Sequence, residues 1–69
     1  MTRQSWHMIK DQVMEKLNSR YWLPGDKLPN EEIMARDFGV ARTTLNRALR
    51  DIAKEGFLIR RRKAGTFVA

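Results

Sequence analysis

Only Gly39-Val40-Ala41 separates two amphipathic helix patterns, and that short junction restricts the fold more than any other feature of this 69-residue chain. Upstream of it, Asn30 is placed to cap a short helix. Glu31 and Glu32 follow in the first turn, where the positive helix end favours acids. Ile33, Met34 and Phe38 supply the apolar side of this helix. Gly39 stops it, in the left-handed conformation that suits a residue without a Cβ. Downstream, a longer helix is predicted from Arg42 to Glu55, ending at Gly56. Helical geometry gathers Leu45, Leu49, Ile52 and Ala53 on one side, with Ala48 flanking. Thr43, Arg47, Arg50 and Lys54 lie opposite, with Asn46 beside them.

A further helix precedes this pair. Trp6, Ile9, Val13 and Leu17 make one stripe, which predicts a helix over 6–19 with Ser5 as its N-cap. Leu23-Pro24-Gly25-Asp26 reads as a turn, and Pro29 biases Lys27-Leu28 toward an extended piece. After Gly56 the texture changes. Phe57-Leu58-Ile59 and Thr66-Phe67-Val68 are β-prone. Between them lie the basic run Arg60-Arg61-Arg62-Lys63 and a turn at Ala64-Gly65. The prediction is a β-hairpin with a cationic tip. Trp6, Trp22, Phe38, Phe57 and Phe67 are assigned to core or hairpin packing. Met8 and Leu23 are assigned to the surface, and His7 to the edge of the first stripe.

Charge is placed unevenly along these elements. The net charge is +6. Residues 1–40 carry equal numbers of acids and bases, so the whole excess falls in residues 41–69, where Asp51 and Glu55 are the only acids. Such asymmetry points to a polyanionic partner met by the C-terminal half. Other classes are disfavoured. One histidine and no cysteine leave no disulfide framework, no metal site and no nucleophile–base pair, so neither an enzyme nor a cofactor is expected. Glu31 and Glu32 are neighbours on a helix and point apart, so they form no acid/base couple. No apolar run approaches the ~20 residues of a membrane span. Met1-Thr2-Arg3-Gln4-Ser5 leads into no apolar signal-peptide core, and a cytoplasmic location without membrane contact is expected.

Two helices joined by a glycine-containing turn, followed at once by a basic hairpin, read as an α+β winged helix-turn-helix. Such a fold inserts its second helix of the pair into the DNA major groove, N-terminal residues first. Arg42, Thr43, Asn46 and Arg47 stand there. Arginine suits guanine O6/N7, asparagine suits adenine N6/N7, and the threonine methyl suits the thymine methyl. Thr44, Arg62 and Lys63 are expected mainly to hold the phosphate backbone, the cationic wing tip suiting phosphates or a minor groove, and Arg50 and Lys54 to face the backbone or solvent where the helix leaves the groove. Two duller readings stand beside this one: a merely solvated basic face, and an RNA- or protein-interaction module using the same cationic surface. RNA recognition favours exposed aromatics on a sheet or a glycine-rich clamp, and neither is visible in the sequence.

The runs Pro24-Gly25-Asp26-Lys27-Leu28-Pro29, Phe38-Gly39-Val40, Arg42-Thr43-Thr44, Arg47-Ala48-Leu49, Glu55-Gly56 and Gly65-Thr66-Phe67-Val68 resemble the N-terminal DNA-binding domain of the GntR family of bacterial repressors. The likeness covers nearly the whole chain. Asn46 to Asp51, taken with Arg60 to Thr66, is similar to the HutC branch. The resemblance implies DNA contacts at Arg42, Thr43, Thr44 and Asn46, and at Arg62 and Lys63 of the wing; Gly65 is counted with them among the expected DNA-binding residues. It implies a homodimeric repressor of histidine-utilisation genes on a palindromic double-stranded operator with half-sites of GT…AC type. Dimer contacts and the site for a urocanate-like effector are implied to lie in a C-terminal domain outside these residues. Residues 1–69 are then one winged domain, expected to be monomeric without DNA. Four positions depart from the family's pattern. Ala41 replaces a capping Ser or Thr, Glu32 replaces an Arg, Asn46 replaces an Arg, and Lys63 replaces a frequent Gly.

Overall fold

The computed structural model describes residues 5–69, so most of the stretch read for a signal peptide lies outside the described residues. The elements run α1 (Trp6–Asn18), α2 (Glu31–Phe38), α3 (Arg42–Lys54), β1 (Leu58–Arg61) and β2 (Gly65–Val68). This is the three-helix, hairpin-ended α+β arrangement of a winged helix-turn-helix. Helix ends fall within a residue of expectation, with Ser19 and Glu55 serving as C-caps.

Helix starts divide by chemistry. Asn30 Oδ1 accepts the Glu32 N–H at 2.7 Å, as a capping asparagine should. Gly39 ends α2 at φ 70°, ψ 34°. Ser5 does occupy the N-cap position of α1, but its carbonyl rather than its side chain receives the first helical N–H groups. Ala41 starts α3 with no side-chain cap at all.

Ile9 and Val13 of α1, Met34 and Ala35 of α2, and Leu45, Ala48, Leu49 and Ile52 of α3 form one core. Leu28, Leu58 and Val68 close it from below. Burying a large aliphatic side chain is worth roughly 1.5–3 kcal/mol. Three such side chains, Leu45, Leu49 and Ile52, therefore fix the rotation of α3 and decide which face it turns outward. Trp6, Trp22 and Phe38 pack against this core as expected.

Two expectations about apolar residues fail. Ile33 is 48% exposed and Ala35 is buried in its place. In an eight-residue helix the stripe through Met34 and Phe38 can lean either way, and α3 lies on the Ala35 side. Phe57 is 47% exposed rather than packed. Strand side chains alternate, and with Leu58 inward, Phe57 and Ile59 must turn out.

In the hairpin Leu58 pairs with Val68, Ile59 with Phe67, Arg60 with Thr66 and Arg61 with Gly65. The turn lies over Arg62-Lys63-Ala64, starting two residues and ending one residue before the expected Ala64-Gly65, and Lys63 takes φ 66°. Gly65 already belongs to β2. The other edge of β2 is occupied by the extended piece before Pro29. Leu28 N–H donates to the Thr66 carbonyl at 2.8 Å, Val68 N–H to the Asp26 carbonyl at 2.8 Å, and Gly25 N–H to the Val68 carbonyl at 2.9 Å. The wing is thereby anchored on both sides at its base while its tip projects.

Lys10 locks α1 to the C-terminal half of α3, donating to Asp51 at 2.7 Å and to Glu55 at 2.6 Å. The hydrogen bonds to these two carboxylates push the Lys10 ammonium up to about 12, and the bond from Lys10 holds the Asp51 carboxyl below its ordinary value.

Candidate nucleic-acid interface

The outward face of α3 is set by the core beneath it. With Leu45, Ala48, Leu49 and Ile52 buried, Arg42, Thr43, Arg47 and Arg50 are exposed, while Thr44 and Asn46 are half-buried at the margins. Thr43 and Arg47 thus stand in solvent, as a groove-entering helix requires.

Beside this face runs an open groove between α2, the start of α3 and the wing. It is lined by Lys27, Glu31, Arg42, Arg60, Arg61, Arg62, Lys63 and Gly65, among others. Six of these are cations. Glu31 is the one acidic side chain in the lining among the described residues. The expected wing contacts Arg62 and Lys63 sit in the exposed turn at the tip, and Gly65 directly follows that turn as the first residue of β2, opposite Arg61.

Three neighbours of the expected residues emerge only in three dimensions. Glu31, read from the sequence as a helix-end acid, accepts the Asn46 amide N–H on Oε1 at 2.9 Å. Its other oxygen accepts Arg60 Nη2 at 2.8 Å. A hint for Arg60 lies in strand parity, because it shares a face with the inward Leu58. Nothing in the pattern distinguishes Glu31 from Glu32. The Lys27 side chain reaches along the wing to the start of β2 so closely that a Cβ at Gly65 would lie 2.7 Å from its Cε. Gly65 adopts φ 118°, so the backbone torsion favours glycine there, while the crowding atoms belong to the far end of a flexible lysine side chain.

Arg47 takes a less open position than its exposure suggests. Its guanidinium carbon lies 4.8 Å from the centroid of the Trp6 ring, in a cation–π contact. His7 stacks on that same ring at 3.9 Å and is itself exposed. The N-terminal turn of α1 therefore borders the outward face of α3.

No group of three or more His, Asp or Glu among the described residues is placed to hold a metal ion. No described helix is long and apolar enough to cross a membrane.

Comparison with known proteins agrees with this geometry. A family model described as bacterial regulatory proteins, gntR family, matches residues 6–68. The histidine utilization repressor of Klebsiella aerogenes is 42% identical over 64 residues, covering 93% of this chain and 27% of that protein. The repressor of the same name from Pseudomonas putida is 34% identical over 61 residues, covering 88% of this chain and 25% of that protein. The chain thus spans about a quarter of the length of these relatives. Among solved structures, the AraR DNA-binding domain in complex with operator ORE1 superimposes with a TM-score of 0.92 at 30% identity, covering 100% of this chain and 84% of that one. Stripe, turn, hairpin and likeness converge: this chain belongs to the GntR family of bacterial regulatory proteins.

Proposed function

We propose that this chain is the DNA-reading module of a bacterial transcription repressor that acts on histidine-utilisation genes. The observation that carries the reading is the exposed N-terminal face of α3, flanked by a cationic wing, in a fold whose AraR neighbour is described in complex with an operator. The names of the Klebsiella and Pseudomonas relatives support the regulated system.

In this reading Arg42, Thr43 and Asn46 meet base edges in the major groove. Thr44, Arg50, Arg62 and Lys63 meet backbone phosphates, and the Gly65 backbone lets the wing approach them closely. Arg47 was expected to read bases. Its stack on Trp6 favours a phosphate contact at the α1 border instead. The module works within a longer, dimeric, cytoplasmic protein on a palindromic operator. Dimerisation and the response to a urocanate-like effector belong to a further domain, and residues 1–69 alone are monomeric without DNA.

Selection of bound duplexes from random sequence, followed by titration at two salt concentrations, tests the reading. Single-stranded DNA and RNA of the selected sequence serve as competitors. Arg42→Ala should cost roughly 1–3 kcal/mol on the selected duplex and relax its sequence preference. Lys63→Ala should weaken all duplexes alike and lower the salt slope by about one. Equal affinity for duplex, single strand and RNA would refute the proposal, as would an unchanged preference in Arg42→Ala.

A further inference from the structure

We infer that Glu31 is a positioning residue for sequence readout: it orients the Asn46 amide so that α3 presents an acceptor and a single donor suited to adenine. This rests on the duplex-reading function proposed above.

The amide has one oxygen and two N–H groups, and in isolation either end can face a base. Glu31 removes that freedom. A carboxylate only accepts hydrogen bonds, so the side of Asn46 facing Glu31 Oε1, 2.9 Å away, must be the nitrogen. The carboxylate is itself held. Arg60 of the wing donates to Oε2 at 2.8 Å, in a charge-assisted bond. Both side chains of that pair are largely shielded, at 29% and 23% exposure. The chain Arg60–Glu31–Asn46 therefore spans wing, α2 and α3, and each link restrains the next.

What remains free on Asn46 is Oδ1 and one N–H. Adenine offers the complement in the major groove, an N6–H donor beside an N7 acceptor. Guanine offers two acceptors, O6 and N7, and meets Oδ1 with repulsion. Only an amide turned to point both N–H groups at the base could meet the two guanine acceptors, and Glu31 holds one of those N–H groups. Discrimination against guanine thus arises from a residue that touches no base.

The placement of Glu31 supports a role of this kind. It is the one acid lining a groove of six cations among the described residues, where a bare carboxylate would repel phosphate. Arg60 offsets that charge while Oε1 stays engaged with Asn46. A helix-dipole partner alone would need neither contact, since Glu32 already stands in the same turn.

The test uses the duplex selected by the wild-type chain, with each position of a half-site replaced in turn by the other three base pairs. Asn46→Ala identifies the position read by the amide. At that position Glu31→Ala should lower the adenine-over-guanine affinity ratio about tenfold, with preferences elsewhere retained. Glu31→Gln keeps an acceptor oxygen for Asn46 and should restore most of the ratio, which a merely structural loss would not. Free of DNA, the Asn46 side-chain amide signal in a ¹⁵N-correlated spectrum should move in Glu31→Ala and stay near its wild-type place in Glu31→Gln. This readout holds even if Glu31→Ala binds poorly. Retention of the ratio in Glu31→Ala, an unmoved amide signal, or an Asn46→Ala variant that loses no adenine preference would each overturn the inference and leave duplex reading standing. A wild-type chain with no duplex preference would instead overturn the proposed function itself.

Discussion

Replacing Gly65 by alanine separates two costs that coincide where β2 leaves the wing turn. The first is torsional. Gly65 sits at φ 118°, outside the small left-handed region that L-residues visit. Holding alanine there costs on the order of 1–3 kcal/mol. The second is steric. The added Cβ would lie 2.7 Å from Lys27 Cε and 3.5 Å from its Nζ. Those atoms end a flexible, exposed side chain, and swinging them aside costs about 1 kcal/mol or less. Loss of unfolded-state freedom returns about 0.4–1 kcal/mol. The net loss is therefore about 1–3 kcal/mol, dominated by the backbone. A chain of this size is stable by roughly 3–10 kcal/mol, so the loss is a readily measured share of the total. Its Tm falls by about 5–20 °C. Thermal melts followed by circular dichroism of the wild type, Gly65→Ala, Lys27→Ala and the double variant give the coupling between the two sites. A backbone-dominated cost predicts coupling under about 0.5 kcal/mol. Recovery of most of the loss in the Lys27→Ala background would show that crowding, not torsion, is what glycine avoids. An unchanged Tm in Gly65→Ala would refute both terms.

Two other predictions concern stability. Ala41 starts α3 in extended geometry, φ −71° and ψ 152°, with no side-chain bond to the free N–H groups of the first turn. Ala41→Ser should supply that bond and raise stability by about 1 kcal/mol, within a range of roughly 0.5–2. A melt with no rise in Tm would refute it. The Lys10–Asp51–Glu55 lock predicts a pH window. Asp51 is held below its ordinary 3.8, so its contribution is present above that value and lost as pH falls through the lowered one. Lys10 is raised to about 12 from 10.5, so its contribution is complete below 10.5 and lost as pH rises toward 12. The stability gap between wild type and Lys10→Met, measured by urea unfolding, should be flat between these limits and shrink at both ends. A gap that persists unchanged at pH 3 would refute the pairing.

Much of this protein was legible along the chain. The stripe from Trp6 to Leu17, the Asn30 cap, the Gly39 stop and the polar-against-apolar division of α3 are local signals, each complete within a few residues. They fixed the element order and the outward set Arg42, Thr43 and Arg47. The basic run between two β-prone stretches announced the wing, although the turn spans Arg62 to Ala64 rather than Ala64-Gly65, with Lys63 and Gly65 both at positive φ.

Packing decided the rest. Whether Ile33 or Ala35 turns inward depends on the side from which α3 approaches a two-turn helix, and no periodicity records that. Phe57 lost its expected place because strand parity is counted from Leu58, whose inward position is set by the core. The contacts Glu31–Asn46, Glu31–Arg60, Arg47–Trp6 and Lys27 over Gly65 join residues 15 to 41 positions apart. A one-dimensional pattern encodes which face a residue occupies within its own helix or strand. Which side chains meet across elements follows only when buried apolar surfaces have fixed how those elements rotate and close against one another.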